Sequence, residues 1–275
     1  MFSTLNNRYI IKCKIFTEGP IAVSTGIPNI DTDAPVMRSP AHGNRPFVPG
    51  SSFRGALRSC CERILCSLGK YTCLLIKDPD CECPTINEKN AKEIREAIEK
   101  GTPEDEVLEL VMRRLCWTCQ LFGSPFLASK LKVSDLYASH ELDCPVSIRH
   151  RVGIDRDTNT AAKGAKFDGE TVEEGAFEME LILENAKKRD WGVLGLALYE
   201  LKHGDFFVGG DQAVGAGRCV FEEDGLKIYY FDDDDKEGYG LVDFLCSDKA
   251  GIERYKPMEK PWEHIRESVE SLLKP

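Results

Sequence analysis

Apolar and polar positions alternate in two widely separated segments of the chain. Residues 8–16, RYIIKCKIF, alternate over part of their length and predict a strand. AFEMELILE at 176–184 alternates throughout and predicts another. LKVSDLYA at 131–138 and CVF at 219–221 read as two more. A helical period takes over at Phe53, Leu57, Ile64, Leu65 and Leu68, one apolar stripe with Arg54, Arg58 and Arg63 largely off it. Ser51 or Ser52 suits the N-cap of a helix beginning near Phe53, and Gly69 its stop. Charged amphipathic helices are expected over 88–100 and 103–116, a buried helix over 191–202 and a terminal helix over EKPWEHIRESVESLL.

Three stretches follow neither period. Residues 17–50 are rich in Gly, Pro, Asn and Asp and too long to be an idle connector. Residues 70–88 are short, Cys-rich and irregular. Residues 148–170 are polar and small between two strands, which predicts a long, flexible, exposed hairpin. No βαβ unit repeats, so the expected class is α+β, with helices packed on an antiparallel sheet and long insertions decorating it.

At 42% hydrophobic and 30% charged residues, the composition is globular. The net charge of −10 argues against a polyanionic partner, but its distribution reverses that inference. Residues 1–70 hold 9 basic and 4 acidic residues, net +5, whereas 170–275 carry a net −12. The longest strongly apolar stretch, Trp191 to Tyr199, falls far short of the roughly 20 residues that span a bilayer. With no apolar N-terminal segment, a cytoplasmic location is expected.

Eight of the 12 cysteines fall between Cys60 and Cys119. Cys116-Trp-Thr-Cys119 has the gap that lets two thiolates reach one tetrahedral ion, and Cys73, Cys81 and Cys83 can complete the set. A closed set of this kind implies structural zinc; the bland reading is buried free thiols. Cys60 and Cys61 are expected to face packing or solvent. This CxxC follows a helix rather than opening one after a strand, which speaks against a redox site.

Other constellations are weaker alone. Asp31 and Asp33 sit in a Pro-bounded loop, where a carboxylate can take a hydroxyl proton or hold a divalent cation. On residue type alone, the ordinary turn-forming role of Asp is the stronger reading. Gly50-Ser51-Ser52 before a helix offers backbone N–H groups to phosphate, and Arg54 and Arg58 are one turn apart. Gly209, Gly210, Gly215 and Gly217, followed by Arg218, do not fit a dinucleotide fingerprint; the alternative is a wide hairpin turn. His42, His140, His150, His203 and His264 are scattered and read as structural or surface residues.

Taken in order, IDTDAPVMRSP, FVPGSSFRGALRS, CQLFGSPFLASKLKVSD, VGIDRDTNTAAKGAKFDGE and GGDQAVGAGRCVF resemble the RAMP superfamily, specifically backbone subunits of type III CRISPR effector complexes. The cysteine-bearing CQLFGSP looks most like the type III-D subunits. Together the pieces cover most of residues 15–222; 223–275 have no clear counterpart.

The resemblance implies a modified RNA-recognition-motif (ferredoxin-like) palm with helical insertions and a β-hairpin thumb over 148–175. Together with the cysteine spacing and the charge, the expected layout is a single domain over 1–275 with a zinc-binding helical insertion over 60–120 and an acidic C-terminal extension over 223–275. The resemblance also implies that stacked copies or paralogues bind a guide RNA (crRNA) and that each thumb displaces one nucleotide pair of the guide–target duplex. Guide pairing would read sequence while protein reads the backbone. Asp33, which matches the family's Asp two residues before Pro-Val, would be the catalytic carboxylate of a metal-dependent endoribonuclease cutting target RNA at six-nucleotide intervals. Mg²⁺ would be held jointly with RNA phosphate, because a lone carboxylate binds a hard cation weakly. Ser51, Ser52, Arg54, Arg58, Arg156, Gly209, Gly210, Gly215, Gly217 and Arg218 would contact RNA. GPIAVSTG lacks the His that some relatives carry after the first strand. Two alternatives are a catalytically inactive structural RNA-binding subunit and a stand-alone guide-processing RNase. The acidic tail is expected to lie away from the RNA.

Overall fold

The computed structural model describes residues 4–74, 81–222, 224–232 and 241–274. In chain order the strands are β1 (Asn7–Thr17), β2 (Arg38–Ser39), β3 (Arg45–Val48), β4 (Leu131–Val133), β5 (Leu136–Tyr137), β6 (Val146–Ile154), β7 (Ala161–Val172), β8 (Ala176–Glu184), β9 (Phe206–Phe207), β10 (Arg218–Phe221), β11 (Lys227–Asp232) and β12 (Lys256–Pro257). The helices are α1 (Gly50–Ser67), α2 (Glu88–Glu99), α3 (Glu104–Arg114), α4 (Trp117–Phe122), α5 (Lys188–His203), α6 (Leu241–Leu245) and α7 (Pro261–Leu273).

β1 and β8 form the centre of an antiparallel sheet, in register from Arg8 opposite Glu184 to Phe16 opposite Ala176. Side chains alternate across a strand, so one face collects the pairs Tyr9–Leu183, Ile11–Leu181, Cys13–Met179 and Ile15–Phe177. These residues share one core with Phe53 and Leu57 of α1 and Leu194, Leu198 and Leu201 of α5. The opposite face carries the ion pairs Arg8–Glu184 and Lys12–Glu180, each 2.7 Å. The two faces account for the alternation read in RYIIKCKIF and AFEMELILE. β11 pairs the first half of β1 and β10 its end, while β4 lies beyond β8. The class is α+β.

Two elements begin or break where the sequence did not indicate. α1 starts at Gly50, not near Phe53, and neither Ser51 nor Ser52 is its N-cap. Its first amide, Gly50 N–H, donates instead to Asp135 Oδ1 at 2.7 Å. Asp135 lies in the break between β4 and β5, so the expected strand over 131–138 is split where it receives the helix end. Lys130, just before β4, meets Asp190 of α5 at 2.6 Å with both side chains almost fully buried.

Part of the acidic extension is integral to the fold. β11 adds to the sheet, and α7 packs on α5 through Gly192 and Gly195. Within the run Asp232–Asp235, Asp232 accepts from Tyr9 Oη at 3.0 Å; residues 233–235 lie outside the described ones.

Candidate functional site

The hairpin of β6 and β7 is joined by a turn at 155–160. In that turn Asp155 Oδ1 accepts from the amides of Asp157 and Thr158, both at 2.9 Å. Arg156 lies exposed in it, at the tip. Glu173 holds the hairpin base, accepting from Arg149 Nη2 at 2.8 Å and from Ser147 and Thr171. Arg149 first, with Ser147, holds the Glu173 carboxyl down at about 2.

The loop carrying Asp33 is laid along the outer edge of β7. Asp33 N–H donates to Asp168 O at 3.0 Å, and Glu170 N–H donates to Ala34 O at 3.0 Å. Thr32, buried, donates from Oγ1 to Asp168 O at 2.8 Å. Glu170 reaches back to accept from Val36 N–H at 2.9 Å. The Asp33 carboxylate accepts from Asp168 N–H through Oδ2 at 3.1 Å and is exposed. The long loop thus fixes a solvent-facing carboxylate at the foot of the hairpin. Asp31, two residues upstream, is exposed and donates its amide to Asn29 Oδ1.

The same loop touches the Gly-rich segment. Gly210 N–H donates to Ala22 O at 2.8 Å, and Ile21 exchanges backbone hydrogen bonds with Val172 of β7. Gly209 has φ +86°, and a Cβ there would stand 2.4 Å from Ala22 O; at Gly217, φ +93°, it would stand 2.5 Å from Val208 O. Only glycine suits these two positions. Gly215 adopts positive φ in open space. The segment then enters β10, so it is a loop before a strand and not a helix opening. Arg218 is half-exposed and engaged by Glu18 at 3.2 Å and by Gly204 O at 2.5 Å. Arg151 of the hairpin pairs with Asp211 at 2.5 Å, tying hairpin and loop together.

Two grooves flank this junction. One is lined by Ser52, Gly55, Ser59, Gly209 and Gln212, the other by Arg149, His150, Arg151, Asp211 and Val214. Ser51 and Ser52 are exposed on the first turn of α1. The described residues lining either groove all precede Arg218.

Arg54 and Arg58 are turned inward instead. Arg54, half-buried, donates to Phe122 O, and its guanidinium lies 5.8 Å over the Phe122 ring. Burial, then the neighbouring Arg58, lowers its pKa. Arg58 pairs with Glu62 at 2.7 Å, with both side chains largely buried, and donates to Cys119 Sγ at 3.2 Å. The guide contact that the resemblance implies for Arg58 would compete with this commitment to the cysteine cluster.

That cluster consists of Cys73, Cys83, Cys116 and Cys119, all buried, with every Sγ within 4.8 Å of the others. Cys73 Sγ lies 3.4 Å from Cys119 Sγ and 3.5 Å from Cys116 Sγ. A disulfide would need about 2 Å. Four sulfurs about 2.3 Å from one zinc stand roughly 3.8 Å apart, so the donors fit a closed tetrahedral ion. Cys81 is buried in the same cluster but outside the quartet. Cys116 follows α3 as expected, yet it also caps α4. Sulfur–sulfur hydrogen bonds, from Cys116 foremost, hold the Cys83 thiol well below its ordinary range. Thr85 Oγ1 at 3.2 Å from Cys119 Sγ, Thr118 Oγ1 at 3.2 Å from Cys116 Sγ, and Arg58 form the polar surround. Neither spacing nor composition marks these partners. Cys60 and Cys61 are buried in the main core, where burial first pushes Cys60 up to about 11.

Residues 17–220 match the family described as the RAMP superfamily. No curated protein matches the chain. No described helix is long and apolar enough to cross a membrane.

Proposed function

The chain belongs to the RAMP superfamily, a family associated with type III CRISPR complexes, and on that premise we propose that it is a guide-RNA-binding backbone subunit that cleaves complementary target RNA. The observation that carries this reading is the Asp33 carboxylate, fixed by Asp168 N–H at 3.1 Å at the foot of a long hairpin while facing solvent. A carboxylate so placed meets the strand that the hairpin displaces. The displaced nucleotide's 2′-hydroxyl is the nucleophile, and holding it in line with the adjacent phosphorus supplies the positional advantage.

Asp33 orients that hydroxyl. Among the described residues, the only group of three or more metal-donor side chains is the cysteine quartet. Magnesium would therefore be held by Asp33 together with RNA phosphate, where it would neutralise charge on the reacting phosphate. Zinc in the cysteine quartet would be structural, because four sulfurs leave no open position. The groove lined by Ser52 and Gly209, with Ser51 and Gly210 beside them in sequence, would hold the guide backbone, and Arg156, exposed at the hairpin tip, would meet the duplex. The net −7 of residues 221–275, of which no described residue lines either groove, suits contact with neighbouring subunits or solvent.

The test is assembly with a guide in the presence of the other subunits, then mapping of cuts on complementary RNA. Wild type should cut at six-nucleotide intervals with Mg²⁺. Asp33→Ala should lose those cuts and keep target binding. Retained cutting refutes the assignment. Cleavage of free repeat RNA by the isolated protein would favour guide processing instead.

A further inference from the structure

We infer that His150 is a second catalytic residue: it protonates the departing 5′ oxygen of the target RNA, oriented by Asp168. The inference rests on the cleavage assigned to Asp33.

β7 carries a partner on each edge. On one edge β6 pairs antiparallel and places His150 directly opposite Asp168. On the other the Asp33 loop adds in parallel, with Ala34 bridged to Gly169. Asp168, one residue before that bridge, meets His150 side chain to side chain across β6, and its own backbone N–H holds Asp33 Oδ2 at 3.1 Å. His150, Asp168 and Asp33 thus follow one another across the two edges of β7 as a transverse row. Adjacent strands lie about 4.8 Å apart, so the outer two backbones stand roughly 10 Å from each other and can flank one phosphodiester.

The chemistry of the row is asymmetric. His150 Nδ1 lies 2.8 Å from Asp168 Oδ1, and the His150 side chain is 65% exposed. Nε2 has no hydrogen-bond partner among the described residues and faces solvent. A carboxylate at one imidazole nitrogen orients the ring and leaves the other nitrogen to transfer a proton. Arg149 and Arg151, beside it in sequence, are committed to Glu173 and Asp211. The sequence hides this arrangement because His150 and Asp168 are 18 residues apart and meet only through hairpin register.

In the step, the 2′-oxygen forms a bond to phosphorus and the bond from phosphorus to the 5′ oxygen breaks. The 2′-hydroxyl proton passes to the Asp33 carboxylate. The Nε2 proton passes to the 5′ oxygen, giving a 2′,3′-cyclic phosphate and a 5′-hydroxyl. No electrons are gained or lost.

The test uses the guide-loaded complex and two targets, ordinary RNA and RNA with sulfur replacing the bridging 5′ oxygen. A thiolate leaves without a proton. His150→Ala and His150→Asn should cut ordinary RNA about 10²–10⁴-fold more slowly, the usual contribution of a positioned acid. Both should cut the sulfur target at the wild-type rate. Asn can still hydrogen-bond Asp168, so its agreement with Ala excludes a merely structural loss. Asp33→Ala should be slow on both targets. Wild-type rates for the His150 variants on ordinary RNA overturn the inference, as does a loss that sulfur does not rescue. Normal cutting by Asp33→Ala overturns the reading of Asp33 instead, a separate and distinguishable failure.

Discussion

Arg58 donates from Nη2 to Cys119 Sγ across 3.2 Å while its Nε holds Glu62 Oε1 at 2.7 Å. One guanidinium therefore joins the α1 helix to the cysteine quartet and offsets negative charge on both sides. Removing it leaves Glu62 buried without its cation. Arg58→Ala is expected to cost about 3 kcal/mol, the range for breaking a buried pair. It should also weaken metal binding roughly 10–100-fold, as loss of a ligand's hydrogen-bond partner does. Thermal melting and zinc release to a competing chelator would measure the two effects.

The quartet makes a distinct expectation for the cysteines. Purified protein should hold one zinc per chain. Cys83→Ser should lose it and loosen the cluster of Ile94, Val111 and Leu115 that packs with it. Cys81→Ser should keep it, since Cys81 lies outside the set. Metal analysis of the two variants decides between them, and equal loss from both would contradict the geometry.

The packing of α7 on α5 depends on small residues. A Cβ at Gly195 would stand 2.8 Å from Cγ2 of both Ile265 and Val269. Gly195→Val should therefore destabilise by about 1–3 kcal/mol or more through overpacking. A lower denaturation midpoint with unchanged metal content would show that residues beyond 220 support the palm itself.

The hairpin base should respond to acid. Arg149 and Ser147 hold the Glu173 carboxyl at about 2, below its ordinary 4.5. A depressed carboxyl contributes stability above its unfolded value and loses it as pH falls through the folded one. The Glu173 contribution is therefore complete above about pH 4.5 and disappears towards pH 2. Amide exchange at Arg149 and Thr171 should rise across that window in wild type, and the rise should flatten in Glu173→Gln.

The sequence by itself determined the elements whose burial is periodic. Period-2 alternation marked β1 and β8, and a helical period marked α1, α2 and α3, because each turns one face to a core. Continuous apolarity marked α5, which is buried nearly all round over 190–198. It also marked the cysteine-rich segment and the loop holding Asp33, since ligand spacing and loop length are local properties. Tertiary structure alone decided the rest. The start of α1 depended on Asp135, 85 residues away. That Cys73 and Cys83, and not Cys81, gather with Cys116 and Cys119 depended on how the segment folds back on itself. Helix spacing showed Arg54 and Arg58 one turn apart but not that both bend inward, because a long flexible side chain follows whichever partner the fold presents. The row of His150, Asp168 and Asp33 exists only through strand register. Register is a relation between distant segments, and no single stretch of sequence contains it.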